Sequence, residues 1–122
     1  MSSQKPILTL SRGLSDANKQ YVLVALHGEM DKIGLNLVKD ELEKLVSDFP
    51  CRYLVFDFTD LDYIISESIG FLMSLHAHLA KDQKTLVIIA AKSHVKDVLD
   101  AIGIMSVFPY YNSLNDFKDK IA

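Results

Sequence analysis

The chain of 122 residues carries 13 Lys plus Arg against 16 Asp plus Glu, a formal net charge of -3, with 49% hydrophobic residues, five Gly, three Pro and one Cys. A domain of this size buries roughly 65% of the surface its unfolded chain exposes, enough for one core without disulfide or metal staples. A slightly acidic balance offers no basic field to a phosphate backbone or an anionic membrane surface. Nor does any apolar run approach the ~18 residues that span a bilayer. The expectation is a single domain over residues 1–122, with neither nucleic acid nor membrane as partner.

The lone cysteine, Cys51, forms no internal disulfide, and the opening Met1 to Pro6 lacks the apolar stretch of a signal peptide. A cytoplasmic protein is therefore expected. Ile7 to Leu10 and Tyr21 to His27 read as two strands, separated by the polar stretch Arg12 to Gln20. The second is apolar nearly throughout and is expected to lie centrally. From Lys32 to Ser47 a helix is predicted, because Val38, Leu42, Leu45 and Phe49 recur at offsets of 4, 7 and 11 before Pro50 stops it. Tyr53 to Phe58 reads as a buried strand and Thr59 to Asp62 as the turn after it. A second helix starts near Ser66.

Leu86 to Ala91 is the next buried strand, with Ser93 as the cap of a third helix, Val95, Val98, Leu99 and Ile102 as its apolar face and Gly103 as its stop. Val107 to Tyr111 reads as a short edge strand, since Pro109 removes a ladder donor. Ser113 with Asp116 marks the start of a last helix carrying Leu114, Phe117 and Ile121. The order is β-β-α-β-α-β-α-β-α. Strands separated by helices imply right-handed crossovers and parallel neighbours, and the opening β-β pair adds an antiparallel one. The predicted fold is α/β, a mixed sheet with helices packed against it.

The stretch Leu61 to Leu72 joins a buried strand to an amphipathic helix and carries the chemistry. At about 100° per residue, Ile69, Leu75, His76 and Leu79 cluster around Leu72, with Ser68 about 40° away on the same face. Ser68 should face the core. Ser66 falls about 120° from that stripe, at the helix start, and is the accessible hydroxyl. Its plain role is a helix cap accepting a backbone N–H. A phosphoryl group on this hydroxyl would also meet free N–H groups and the positive end of the helix dipole, so the position suits a phosphorylation switch.

These residues resemble the STAS domain, and specifically the bacterial anti-sigma factor antagonists. In that family the phosphorylated loop commonly reads Asp-Ser-Ser-Gly-Leu-Gly after an aromatic and an aliphatic residue. Here Tyr63-Ile64 precede Ile65-Ser66-Glu67-Ser68-Ile69-Gly70. Gly28-Glu29-Met30-Asp31 is similar to the family's Gly-Glu-Leu-Asp before the first helix, and Leu99 to Ile104 is similar to the end of its third helix. Ile65, Glu67 and Ser68 depart from the family pattern. The resemblance implies a STAS-type mixed sheet and an anti-sigma factor antagonist with no catalytic activity. Ser66 would be the phosphoacceptor, and Glu29, Asp31, Ile65, Ser66 and Glu67 would be the partner-binding residues. It implies an anti-sigma factor with a kinase-like ATPase fold as partner, bound while Ser66 is unmodified, and a serine phosphatase to reverse the modification. The alternative is a STAS scaffold that is never phosphorylated, with Glu67 as a fixed negative charge in a signalling assembly.

Other constellations are weaker. Ser66 to Gly70 has the Ser-x-Gly end of a nucleophile elbow, but its first glycine is missing and Ser68 is predicted to face inward. His76 and His78 point about 200° apart on one helix and share no metal. His94 belongs to the first turn of the third helix, and His27 and Cys51 lack ligand-spaced companions. Asp57, Asp60 and Asp62 read as a solvated turn, without the bidentate Glu of a calcium loop. No metal or cofactor is expected. A receiver domain would place a phosphoacceptor at Asp57 but requires β-α alternation from its first strand, where this chain has a second strand. Tyr110 and Tyr111 on an edge strand allow a monomer or a weak dimer.

Overall fold

The computed structural model describes residues 8–14 and 20–121. Its elements run β1 (Leu8–Leu14), β2 (Tyr21–Met30), α1 (Lys32–Ser47), β3 (Tyr53–Asp57), β4 (Leu61–Ile64), α2 (Ser66–Ala80), β5 (Thr85–Ile89), α3 (Ser93–Ile102), β6 (Tyr110–Tyr111) and α4 (Leu114–Ile121), with a 3₁₀ turn at Ile104–Ser106. The sheet order is β1-β2-β3-β5-β6, and β4 also pairs with β2. Among the described residues only the β1–β2 pair is antiparallel. The mixed α/β sheet is as expected, and β2 lies inside it rather than at an edge, bonded to β1, β3 and β4.

One strand is added to the predicted order. Where Thr59 to Asp62 reads as a turn, Leu61–Ile64 forms β4. β3 runs beside β2 from Tyr21 to Ala25, the chain leaves the ladder for three residues, and β4 rejoins the same edge of β2 opposite Gly28 to Met30. Four residues interrupted by the carboxylate of Asp62 give too little alternation for a strand signal; pairing with β2 supplies it. β1 likewise runs through Arg12 and Gly13, assigned to a connection from sequence, because the antiparallel ladder to β2 continues as far as Leu14↔Val22. Ile7, the predicted start of β1, lies outside the described residues. β5 ends at Ile89 because Ala90 turns left-handed, with φ 60°. The edge strand shrinks to Tyr110–Tyr111, since the Val107 and Phe108 N–H groups donate to the Ile104 carbonyl and so belong to the end of the Ile104–Ser106 turn.

Helix α1 buries Leu35, Val38, Leu42 and Val46 against one face of the sheet, and Phe49 extends that stripe past the helix end. Helices α2 and α3 cover the rest of this face with Ile69, Leu72, Leu75, Leu79, Val95 and Leu99. The opposite face is covered by α4, whose Phe117 is fully buried and meets Tyr21, Tyr53 and Tyr111 edge-on at 5.4, 5.3 and 5.7 Å. Edge-to-face pairs of this kind add about 0.5–1.5 kcal/mol each beyond buried area, which holds an eight-residue helix too short to persist alone. Ser113 caps α4 as predicted, its Oγ accepting the Asp116 N–H at 3.1 Å. Gly103 ends α3 with φ 84°. Ser93, however, is the first residue of α3, and the cap position is Lys92, without a side-chain cap bond.

Candidate functional site

The carboxyl end of β2 builds the site. Gly28 has φ 102°, a conformation that side chains oppose, and the β2–β4 register shifts between it and Glu29. The Gly28 N–H donates to the Asp60 carbonyl at 3.0 Å, which fixes where β4 begins. Beyond the shift, Glu29 pairs with Tyr63 and Met30 with Ile64. Asp31 then caps α1, its Oδ1 accepting the Gly34 N–H at 2.9 Å. A carboxylate there also complements the helix dipole.

The buried Met30 joins the two helix starts. Its carbonyl accepts the Ile65 N–H at 3.3 Å and the Ser68 hydroxyl at 2.7 Å. Ser68 is fully buried, as its helical angle predicts, and its hydroxyl is committed to this bond. An inward Ser68 cannot serve as an exposed nucleophile, so the partial nucleophile-elbow motif has no geometry behind it.

Ser66 does not cap α2. The cap is Ile65, in extended conformation at φ -104° and ψ 162°, with no side-chain cap bond, and Ser66 is the first helical residue. Its hydroxyl is consequently presented to solvent rather than drawn into the helix end. Glu67 follows, exposed and acidic in the first turn. One turn on, Gly70 is exposed, and a Cβ built there would meet nothing within 4 Å. The helix thus contains a glycine that no internal packing demands.

All five residues selected as partner-binding from sequence, Glu29, Asp31, Ile65, Ser66 and Glu67, fall at this one end of the sheet, on either side of the Met30–Ile64 pair. Three others were not anticipated there. Tyr63 is half exposed, at 50%, opposite Glu29. Lys92 pairs with the Asp62 carboxylate, and His94 Nε2 lies 2.6 Å from the Asp62 carbonyl. The aromatic residue before the serine was a usable signal for Tyr63. Nothing in the local sequence joins Asp62 to residues 30 positions away.

The remaining candidates are structural or solvated. His76 sits edge-on to Phe108 at 5.2 Å, and His78 is exposed. His27 Nδ1 approaches Asp60 at 3.4 Å, Cys51 is buried, and Asp57 accepts from the Thr59 N–H and hydroxyl at 2.9 and 2.6 Å. Among the described residues no group of three or more His, Cys, Asp or Glu is placed to hold a metal ion. Among them, too, no helix is long and apolar enough to cross a membrane.

The STAS family model matches residues 14–117, and the chain belongs to that family. It is 30% identical over 92 residues to BtrV of Bordetella bronchiseptica, provisionally assigned as an anti-sigma factor antagonist, a match covering 75% of this chain and 78% of BtrV. In structure it is similar to an anti-sigma factor antagonist from Mycobacterium paratuberculosis, with TM-score 0.78 and 21% identity over 89% of both chains. It is also similar to the phosphorylated form of the Bacillus cell fate determinant SpoIIAA, with TM-score 0.66 and 12% identity over 92% of this chain and all of that one.

Proposed function

We propose that this protein is a cytoplasmic, non-enzymatic binding switch, an anti-sigma factor antagonist whose state is set at Ser66. With the Ser66 hydroxyl unmodified, the surface formed by Glu29, Asp31, Ile65, Ser66 and Glu67 binds an anti-sigma factor of kinase-like ATPase fold and frees its sigma factor. The partner uses ATP to phosphorylate Ser66. The serine oxygen takes the γ-phosphoryl group, ADP leaves, and the hydroxyl proton passes to the partner. A serine phosphatase restores the binding form.

The observation that carries this reading is the exposed Ser66 hydroxyl on an α2 start that no side chain caps. Phosphate there adds about 1.5 to 2 negative charges beside Glu67 and Asp31. Repulsion and desolvation at a closed interface then cost several kcal/mol, orders of magnitude in affinity. The open ground over Gly70, one turn along the same helix, lets a partner backbone approach the serine.

Incubation with the anti-sigma factor encoded beside this protein and ATP, followed by mass spectrometry, tests the acceptor: phosphate is expected on Ser66. In a pull-down Ser66→Ala should keep the partner and Ser66→Asp should lose most of it. Equal binding by both variants overturns the switch. Binding without any phosphate transfer favours the scaffold alternative, for which Glu67 is already a fixed charge in the first turn.

A further inference from the structure

The Ser66 turn hangs on β4, a strand of four residues whose Leu61, Tyr63 and Ile64 pair with Gly28, Glu29 and Met30 of β2 across a register shift, β2 being its one strand partner among the described residues. β4 faces the start of α3 on its other edge, where among the described residues no strand completes the ladder. Lys92, at the cap of α3, and His94, in its first turn, close that edge. Lys92 Nζ pairs with the Asp62 carboxylate, and His94 Nε2 lies 2.6 Å from the Asp62 carbonyl, an acceptor, so this nitrogen donates. The connection that delivers them is itself built. Ala90 adopts φ 60°, its N–H donates to the Tyr111 carbonyl at 3.0 Å, and the Ala91 N–H donates to the Tyr110 hydroxyl at 2.9 Å. Lys96 lies over the Tyr110 ring at 5.4 Å, on the next turn. A left-handed alanine costs free energy, and here it turns the chain from β5 toward β4.

We propose that Lys92 and His94 are positioning residues for the acceptor serine. Acting through Asp62, they hold β4 in register with β2, and so fix the Ser66 hydroxyl relative to Asp31 and Glu67. This rests on the reading of Ser66 as the acceptor for its functional meaning, but not for its test, which needs neither kinase nor ATP.

The test is hydrogen exchange and ¹H–¹⁵N spectra on the full chain carrying both Lys92→Met and His94→Ala. Loss of one exposed ion pair and one hydrogen bond should raise local opening about tenfold. Faster exchange is expected at the β4 amides, Ile65 and Gly28. The Ser66 and Glu67 cross-peaks should shift, while the β5 amides of Leu86 to Ile88 and the α4 cross-peaks stay unchanged. Lys92→Arg, which keeps a cation at that position, should return exchange most of the way to that of the unaltered protein when paired with native His94. A uniform rise over the whole chain would mean a merely structural role and overturn the proposal. So would exchange and Ser66 shifts equal to those of the unaltered protein. Should the proposal hold while Ser66 takes no phosphate, the function proposed above fails alone.

Discussion

Helices α1 and α2 start side by side, joined through the Met30 carbonyl, and they are finished in opposite ways. Asp31 closes α1 with its own carboxylate on the Gly34 N–H. Ile65 leaves α2 without a side-chain cap, and Ser66 stands in the first turn with its hydroxyl exposed. Every helix start carries N–H groups without intrahelical partners, and satisfying them is worth about 1 kcal/mol per cap. One start uses that stabilisation; the other forgoes it. The difference teaches where the fold is secured and where it is kept available to an incoming group.

Five substitutions break or sharpen the contrast, the largest expected effect first. Gly28→Ala places a side chain at φ 102°, where the register shift lets both helix starts meet, and should cost about 1–3 kcal/mol. Chemical denaturation measures this as a lower midpoint at unchanged slope. Asp31→Ala should cost about 1 kcal/mol by the same measurement, whereas Ser66→Ala should change stability by less than about 0.5 kcal/mol. Equal losses from the two would mean that Ser66 also acts as a cap. Gly70→Ala should stabilise the fold by about 0.5–1 kcal/mol, since a Cβ there meets nothing and helix propensity rises. The bulkier Gly70→Leu should keep the fold but weaken the partner in a pull-down, because it fills the open ground beside Ser66.

Much of this was legible in the sequence for identifiable reasons. The α1 stripe of Val38 and Leu42 gave its span, the helical angle of Ser68 gave its burial, and Gly103 gave the α3 stop. Each is a local rule: periodicity or a backbone preference acting within a few residues. The misassigned positions share a different cause. Ser66 and Ser93 have the residue type of a cap, but each helix begins one residue early for it, because the extended residues Ile65 and Lys92 take the cap position. For Ile65 the Met30 carbonyl, 35 positions away in the chain, is the anchor.

The sequence by itself determined the order of most elements, the inward Ser68 and the outward Ser66, since spacing against a 3.6-residue turn is enough to separate the two faces. Only the tertiary structure decided that Leu61–Ile64 is a strand, that Lys92 and His94 reach Asp62, and that Glu29 and Asp31 lie at the same end of the sheet as Ser66 and Glu67. Those arrangements depend on pairing partners far away in the chain. A four-residue strand has too few contacts of its own to declare itself until β2 is beside it.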